Sequence, residues 1–457
     1  NAEPTGRPGM AILTGWTPRE RHAVIAAFLA WSLDAFDFFV LVFVLTDVAD
    51  SFKVPISGVA WALTLTLAFR PLGAFIFGRL ADRFGRKPVL MINIAFYSLF
   101  GFLTAFAPSL MGFYVIRSLF GVAMGGIWGI GASLAFETVH HERRGFVSGL
   151  LQSGYAVGYL FASIIFYLLY SALGWRGLFI VGLVPAAFLI AYIWMTVSES
   201  PAHDRARSAR ITMPMLATQV AGILVVGFLT YLVASRLLYP SFGWYGVALI
   251  VPAAAGIAYF ASPFVRQHWR LMLFAVVMMT AFNFFSHGTQ DIYPTFLQKQ
   301  HGFGKGTVSL IAVLYNIAAI VGGLTFGVLS QRWGRRRAAM TAALLAVPVA
   351  FLWAFSPTAV LLGLGAILMQ FMVQGAWGVV PAHLNELSPA DARGTFPGTV
   401  YQLGNLIASV NAVLQTTVAE RSGGNYAVAL ASVAIIACLV IALCMKFGPE
   451  AKDVKMA

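Results

Sequence analysis

One apolar segment of the chain carries a row of polar side chains, NFFSHGTQDIYPT, which begins at Asn283. Four of them recur at intervals of three and four residues and so share one face of a helix: Asn283, Ser286, His287 and Gln290. Asp291 lies one turn beyond His287. Because an imidazole gains or loses a proton near physiological pH, this pair is a candidate proton carrier. The amide and hydroxyl groups beside it are candidate ligands of a small polar substrate.

Charged residues are rare inside the other apolar segments, where the sequence has Asp34, Asp37, Arg70 and Arg117. Each would cost about 2.5–3.5 kcal/mol at the centre of a lipid-facing helix, so something must require it. A guanidinium binds a carboxylate through two hydrogen bonds and stays protonated, which makes Arg70 the candidate anchor of an organic anion. Arg70 and Asp34 are predicted to lie at one depth, where they could pair or share the substrate. Arg117 is followed by glycines and is equally explained as a structural counter-ion at a tight helix contact.

The composition excludes a soluble protein. Of 457 residues, 59% are apolar and only 10% are charged, and the mean hydropathy is +0.81, whereas globular domains have about 25% charged residues. Long apolar segments without alternating ten-residue strands indicate transmembrane helices rather than a β-barrel. The two cysteines, Cys438 and Cys444, support neither a disulfide framework nor a zinc site. No metal, cofactor or enzymatic activity is expected.

Apolar segments of about 20 residues, the length that crosses a bilayer, predict fourteen spans. The first six lie at 22–46, 57–78, 89–107, 112–135, 147–170 and 177–197, an inserted pair covers 214–235 and 243–264, and the last six lie at 271–297, 306–327, 339–356, 359–382, 395–418 and 426–447. With a cytoplasmic N-terminus, 22 of the 30 Lys and Arg residues fall on the inner side and six on the outer side, as the positive-inside rule requires. The net charge of +13 therefore needs no nucleic-acid partner.

A displacement of 249 residues superimposes the two sets of six spans without a gap. The matched identities are Gly78, Leu80, Arg83, Gly85 and Arg86 with Gly327, Leu329, Arg332, Gly334 and Arg335, and Gly126, Trp128, Gly129, Glu137, Arg144, Gly145 and Gly149 with Gly375, Trp377, Gly378, Glu386, Arg393, Gly394 and Gly398. Two parallel six-helix halves are typical of a rocking transporter with its substrate site between them. The predicted segments are a cytoplasmic N-terminus (1–21), an N-terminal half (22–197), a cytoplasmic linker (198–213), an inserted helix pair (214–264), a C-terminal half (265–447) and a cytoplasmic tail (448–457).

The loop GRLADRFGRK at 78–87 resembles the cytoplasmic signature of the major facilitator superfamily, and GVLSQRWGRRR at 327–337 is its weaker copy. The resemblance implies an all-α polytopic membrane fold, here with two extra central helices and about fourteen spans. It also implies a set of gating residues: Gly78, Asp82, Arg83, Arg86, Lys87, Glu137 paired with Arg144, Gly327, Gln331, Arg332, Arg335, and Glu386 paired with Arg393. Because Gln331 stands where the first copy has Asp82, the two gates should differ in strength.

The polar segment is similar to the signature of the lactate and monocarboxylate permeases in the sialate:H+ symporter branch of that superfamily. The matching residues are Asn283, Ser286, His287, Thr289, Gln290, Asp291 and Thr295. LDAFD, which contains Asp34 and Asp37, resembles the first-span Asp-x-x-Asp of related organic-acid symporters. Fourteen spans resemble the sialic acid permeases of the same branch, which keeps a larger sugar acid open as the substrate.

These features predict a proton-coupled symporter that imports lactate, pyruvate or a similar small monocarboxylate. The expected substrate ligands are Arg70, Asn283, Ser286, His287 and Gln290, and the expected proton-coupling groups are His287, Asp291, Asp34 and Asp37. Alternatives are a symporter of sialic acid or another larger organic or aromatic acid, a uniporter, a channel or a transporter-like receptor. The chain is expected to be a monomer in the lipid of a bacterial inner membrane, with both termini cytoplasmic.

Overall fold

The computed structural model describes residues 15–139, 144–199, 263–387 and 396–450, and these ranges form α-helices joined by short turns. Almost all of the predicted insertion at 214–264 lies outside the described residues, as does most of the linker. The helical fold is confirmed, while the two extra helices and the total of fourteen spans stay predictions.

Each half contains six helical positions in the same order. The first half comprises α1 (Pro18–Phe52), α2 (Ile56–Phe84), α3 (Arg86–Thr104), α4 (Leu110–Thr138), α5 (Arg144–Val181) and α6 (Leu183–Thr196). The second comprises α7 (Pro263–Gln290), α8 (Tyr293–Lys299), α9 (Lys305–Trp333), α10 (Arg335–Phe355), α11 (Ala359–Leu387), α12 (Phe396–Ala408), α13 (Asn411–Arg421) and α14 (Tyr426–Phe447). Its first and fifth positions are each broken into two helices, α7 with α8 and α12 with α13.

Ten helical stretches of the described residues are long and apolar enough to cross a membrane. Two positions explain why this is fewer than the twelve spans predicted outside the insertion. The predicted spans 147–170 and 177–197 run together as one stretch, which bends inside α5 at Gly174 (φ 61°). The predicted span 395–418 is divided between α12 and α13, and each piece is short.

The ends of the helices extend beyond the apolar segments because polar residues cap them. At the start of α1, the Thr17 hydroxyl accepts a hydrogen bond from the Glu20 N–H at 3.2 Å. The Glu20 carboxylate in turn accepts from the Thr17 N–H at 2.9 Å. This capping box, with Pro18 at the first helical position, begins the helix four residues before the predicted start at residue 22.

Close contact between α2 and α4 depends on glycine, and the C-terminal half repeats it. A Cβ added at Gly73 would clash with the backbone of Val122, and one added at Gly322 would clash with that of Phe371. These two pairs are related by the 249-residue displacement. A Cβ at Gly125 would clash with the carbonyl of Arg70, so the same contact fixes the backbone that carries the candidate anchor.

Candidate substrate and proton site between the halves

Arg70 lies in the middle of α2, fully buried and one residue before the in-helix Pro71. Its Cζ is 5.5 Å from the centroid of the Trp31 ring on α1. None of the three guanidinium nitrogens makes a hydrogen bond of normal geometry within the described residues. The Tyr401 phenol on α12, in the other half, makes a looser polar contact with the guanidinium. A buried cation with open donors is suited to hold a carboxylate through two hydrogen bonds.

Aromatic rings surround this guanidinium on the side of α1 and α5. Trp31 stacks on Tyr155, with ring centroids 5.6 Å apart at 29°, and Tyr155 meets Phe39 edge to face at 5.0 Å. All three side chains are buried. The Trp31 Nε1 and the Tyr155 hydroxyl have no hydrogen-bond partner among the described residues, so two neutral donors lie beside the charged one.

The two aspartates of α1 face different surroundings. Neither carboxylate oxygen of Asp34 accepts a hydrogen bond from a described residue. The Asp34 carboxylate is attracted by the positive charges of Arg70 and Arg117 and repelled by Asp37. Asp37 packs inside the N-terminal half, where a Cβ at Gly101 would lie 3.7 Å from its Oδ2. Arg70 is the first of the charges that act on Asp34, and the two groups interact at longer range than an ion pair.

Arg117 on α4 belongs to the cluster inside the N-terminal half. Its Cζ lies 4.0 Å from the centroid of the Phe120 ring, and the negative charges that act on it are Asp37 and Asp34. A Cβ at Gly121, one turn further on, would clash with the backbone of α2. These contacts agree with a counter-ion at a tight helix contact, one of the two interpretations that the sequence left open.

His287 and Asp291 form a buried pair at the break between α7 and α8. The His287 Nδ1 is 3.1 Å from each carboxylate oxygen of Asp291, and the side chains are 4% and 0% exposed. The Asp291 N–H donates to the His287 carbonyl at 3.0 Å, which closes the last turn of α7. The imidazole faces the N-terminal half, where the Phe38 ring of α1 meets it edge to face at 5.9 Å.

The other polar residues of α7 are also buried, but protein groups already bind them. The Asn283 side chain donates to the Met279 carbonyl at 2.8 Å. The Gln290 amide accepts from the Ser286 hydroxyl at 3.2 Å and donates to Gln370 at 2.8 Å. The predicted polar face therefore exists, while its amide and hydroxyl groups hold α7 to itself and to α11.

Tyr155 connects the two candidate sites. The charged and polar groups that act on its hydroxyl are Asp291 of the C-terminal half, Tyr401, Arg70 and Asp34. The sequence does not distinguish Tyr155 from the other polar residues of the apolar segments. Its buried hydroxyl has no hydrogen-bond partner among the described residues, and its neighbours come from other helices, so the sequence has no pattern that would reveal it.

Aromatic side chains close the path between Arg70 and the end of the bundle that carries the two signature loops, here called the signature end. Trp128 and Trp377 contact the Tyr401 ring with centroids at 5.3 and 5.9 Å. Together with Gln152 these residues line a cavity of about 10 Å³, which is room for about one water molecule. The 249-residue displacement relates Trp128 to Trp377 and Gln152 to Tyr401, so each half contributes the same two positions.

Polar contacts close the opposite end of the bundle. The Asp47 carboxylate of α1 binds the Lys305 ammonium at 2.5 Å and accepts from the Tyr170 hydroxyl at 2.6 Å. The Lys305 Nζ lies 3.4 Å from the centroid of the Tyr170 ring. These three residues join α1, α5 and α9 across the halves and are here called the clasp. Among the described residues, Arg70 is fully buried between these two sets of contacts.

The signature loops are anchored by two glutamates that the sequence analysis missed. The Glu199 carboxylate accepts from the backbone N–H groups of Arg86 and Lys87 at 2.8 and 3.2 Å. In the second half the Glu450 carboxylate accepts from the Arg336 N–H at 3.3 Å. Both glutamates follow the last helix of their half, and this repeated position was the available signal.

Helix ends at Gly85 and Gly334, with φ of 105° and 90°, allow the turns that present these N–H groups. The Lys87 ammonium donates to the Trp194 carbonyl at 2.9 Å, and Arg332 is exposed at the same end. Gly327 lies near the backbone of Gly378. The side chains of the other gating residues lie outside the described part of the chain: Gly78, Asp82, Arg83, Glu137, Arg144, Gln331 and Arg393.

Glu386 forms an ion pair that the sequence did not predict. Both of its carboxylate oxygens bind the Arg335 guanidinium, at 2.9 and 3.1 Å, and Arg335 also donates to the Ser330 hydroxyl at 2.6 Å. Arg393, the expected partner, lies outside the described residues. The described pairing holds α10 to α11 within one half.

Comparison with known proteins agrees with this architecture. The sequence profile of the Major Facilitator Superfamily matches residues 27–289 and 273–455. A carboxylic acid transporter protein homolog of Saccharomyces cerevisiae is 29% identical over 400 residues, which are 86% of this chain and 60% of that relative, so the chain spans less than two thirds of that relative's length. The sialic acid transporter NanX of Escherichia coli is 24% identical over 94% of this chain and 96% of its own.

The partially occluded inward-open structure of the xylose transporter XylE from E. coli superposes with a TM-score of 0.72 at 16% identity, covering 96% of this chain and 100% of that one. This chain is an integral membrane protein that belongs to the Major Facilitator Superfamily.

Proposed function

We propose that this protein is a proton-coupled symporter that imports a small monocarboxylate by alternating access, with lactate and pyruvate as the first candidates. The observation that carries the proposal is Arg70, a buried guanidinium next to the interface of the halves whose donors are open. The yeast relative, whose name describes a carboxylic acid transporter homolog, supports an organic acid as the substrate.

The substrate carboxylate would bind the two free edges of the Arg70 guanidinium. Asp34 acts on the same guanidinium from a distance, so it supplies a counter-charge to Arg70 when it is ionised. An arriving carboxylate that carries one negative charge competes with Asp34 for Arg70. This competition favours protonation of Asp34 when the substrate binds. Asp34 is therefore the second proposed proton site, after the pair of His287 and Asp291.

We assign the coupling proton first to His287 and Asp291. Their direct contact lets the pair hold one proton in a buried position, with Nδ1 equidistant from both carboxylate oxygens. Asp291 also acts on Tyr155, which stacks on the Trp31 ring beside Arg70. The proton and the substrate are thus close enough to influence each other electrostatically.

Alternating access would require the clasp and the signature end to open in turn. We propose that the signature end is cytoplasmic, because the Lys and Arg residues of the chain concentrate there. Opening the clasp would expose Arg70 to the outside, and opening the contacts of Trp128 and Trp377 with Tyr401 would release the substrate inward.

A larger acid is the second candidate substrate. Sialic acid is favoured by the relative NanX, and an aromatic acid is favoured by the stacked rings of Trp31 and Tyr155. Uptake into proteoliposomes of labelled lactate, pyruvate, benzoate and sialic acid, each with an acidic exterior, distinguishes these candidates. Accumulation of lactate or pyruvate supports the first candidate, and accumulation of only benzoate or sialic acid supports the second.

The same vesicles separate a carrier from a channel or a receptor. A carrier that alternates between its two sides exchanges labelled external substrate for unlabelled internal substrate, even without a proton gradient. Counterflow with substrate inside, and none in vesicles that lack the protein, is the expected result. Uptake without counterflow would indicate a channel, and binding without uptake would indicate a receptor.

A further inference from the structure

The side chains around Arg70 have more unpaired hydrogen-bond donors than a bare carboxylate uses. The guanidinium satisfies both carboxylate oxygens through its fork. The Trp31 indole N–H and the Tyr155 hydroxyl then still lack partners, although both side chains are more than nine-tenths buried. A buried donor that stays unpaired destabilises the complex, so a ligand that supplies one more acceptor is selected.

We propose that Trp31 and Tyr155 form a subsite for an oxygen on the carbon next to the carboxylate, so that the substrates are 2-oxo and 2-hydroxy monocarboxylates. This inference rests on the proposed function and narrows its substrate class. The ring of Trp31 lies 5.5 Å from the Arg70 Cζ, and Tyr155 stacks on that ring at 5.6 Å. The two rings that carry the neutral donors therefore lie in a row beside the guanidinium, with Trp31 the nearer.

The charges around the subsite limit the remainder of the substrate. Asp34 and Asp291 both act on Tyr155 as negative charges, and they disfavour a second carboxylate at this position. The neighbouring Phe39 ring meets Tyr155 at 5.0 Å and offers an apolar wall to a short alkyl group. A three-carbon acid with one oxygen beside its carboxylate meets all of these conditions.

Specificity then follows from the unpaired donors. Propionate has the carbon count and charge of lactate but lacks the 2-hydroxyl, so its binding would leave the indole and phenol unsatisfied. Sites built to bind a substrate oxygen reject the analogue without it much more strongly than apolar pockets reject a missing methylene. We expect propionate to be at least tenfold weaker than lactate or pyruvate, and malonate to be weaker still.

The test is competition against labelled lactate in proteoliposomes of the full chain, with propionate, pyruvate and malonate as competitors. Tyr155→Phe and Trp31→Phe keep an aromatic ring and remove one donor each. Tyr167→Phe is the matched control, because Tyr167 is 61% exposed on the outer surface of α5. Each variant is first checked for its amount and its monodispersity in detergent.

We expect Tyr155→Phe and Trp31→Phe each to reduce the preference for lactate over propionate by at least fivefold, with the affinity for propionate nearly unchanged. The control Tyr167→Phe should keep the preference of the unmodified protein. Equal competition by propionate and lactate in the unmodified protein would overturn the subsite, while lactate symport itself would still stand. A variant that weakens lactate and propionate equally would also overturn it, because that result indicates a packing role. If no monocarboxylate competes with any transported substrate, the proposed function fails instead.

Discussion

In the proposed function Arg70 is the most important single side chain, because it is a fully buried cation with unpaired donors that also contacts Tyr401 of the other half. Both the sequence and the structure single it out. The sequence could not predict its surroundings: Trp31, Tyr155 and Tyr401 come from three different helices. Residues far apart in the chain are brought together only by packing. The candidate role of Arg70 could therefore be predicted from the sequence, and the identity of its neighbours could not.

Arg70→Lys should raise the half-saturation concentration of the substrate by roughly 10- to 100-fold, because an ammonium keeps the charge and loses the bidentate fork. Arg176→Lys is the control, since Arg176 donates to the Ala105 carbonyl far from the pocket. Initial rates of uptake over a range of substrate concentrations measure the effect. Near-normal uptake by Arg70→Lys would contradict a role in substrate binding and would indicate that Arg70 is structural.

His287→Gln and Asp291→Asn should each abolish uphill uptake driven by an acidic exterior, because neither replacement can exchange a proton at the buried contact. Exchange of labelled for unlabelled substrate should survive, since it needs no net proton movement. Parallel assays of accumulation and counterflow check both statements. If both variants still concentrate the substrate, the proton belongs to Asp34 or Asp37.

At the scale of helices, composition predicted where the apolar segments lie and tertiary contacts decided their ends and breaks. The repeat displacement of 249 residues, read from identities such as Trp128 and Trp377, reappears in space where both rings contact Tyr401. The break between α12 and α13 was missed, because a long apolar run gives no signal of a turn inside it. The anchoring role of Glu199 was missed because its partners are more than a hundred residues away.

Asp47→Asn should weaken the clasp and shift the protein toward the state that is open at that end. The ion pair is partly exposed, with side chains 18% and 32% accessible, so its loss is expected to change the equilibrium by about 1 kcal/mol, roughly fivefold. A cysteine introduced at the buried Ser309 reports the opening through its reaction with a membrane-impermeant thiol reagent. The same labelling rate with and without Asp47→Asn would contradict a gating role for the clasp.

Asp82→Asn should shift the population in the other direction, away from the outward-open state in which the signature end is closed. The reason is the asymmetry of the two copies, since Gln331 already stands at the equivalent position of the second half. Labelling of a cysteine introduced near the signature end measures the shift, and Gln331→Asn is the matched control. Unchanged accessibility would refute this difference between the gates.

The described residues form a two-fold repeated bundle whose halves carry different buried charged groups, and the proposed mechanism gives these groups different roles. The N-terminal half supplies the cation Arg70 and the aromatic donors, and the C-terminal half supplies the pair of His287 and Asp291. Duplication explains the shared backbone. The chemistry lies in the differences between equivalent positions, for example Asp34 and Asn283, which are related by the same displacement.

The central claim is that one proton enters with each monocarboxylate, so that transport moves no net charge. In proteoliposomes with the membrane potential clamped at zero, an acidic exterior should drive accumulation of labelled lactate by up to tenfold for each pH unit, or 1.36 kcal/mol. A potential of 100 mV without a pH gradient should drive none, although it is worth about 2.3 kcal/mol for each charge that crosses. Accumulation driven by the potential alone, or no accumulation with the pH gradient while counterflow of lactate persists, would contradict the account.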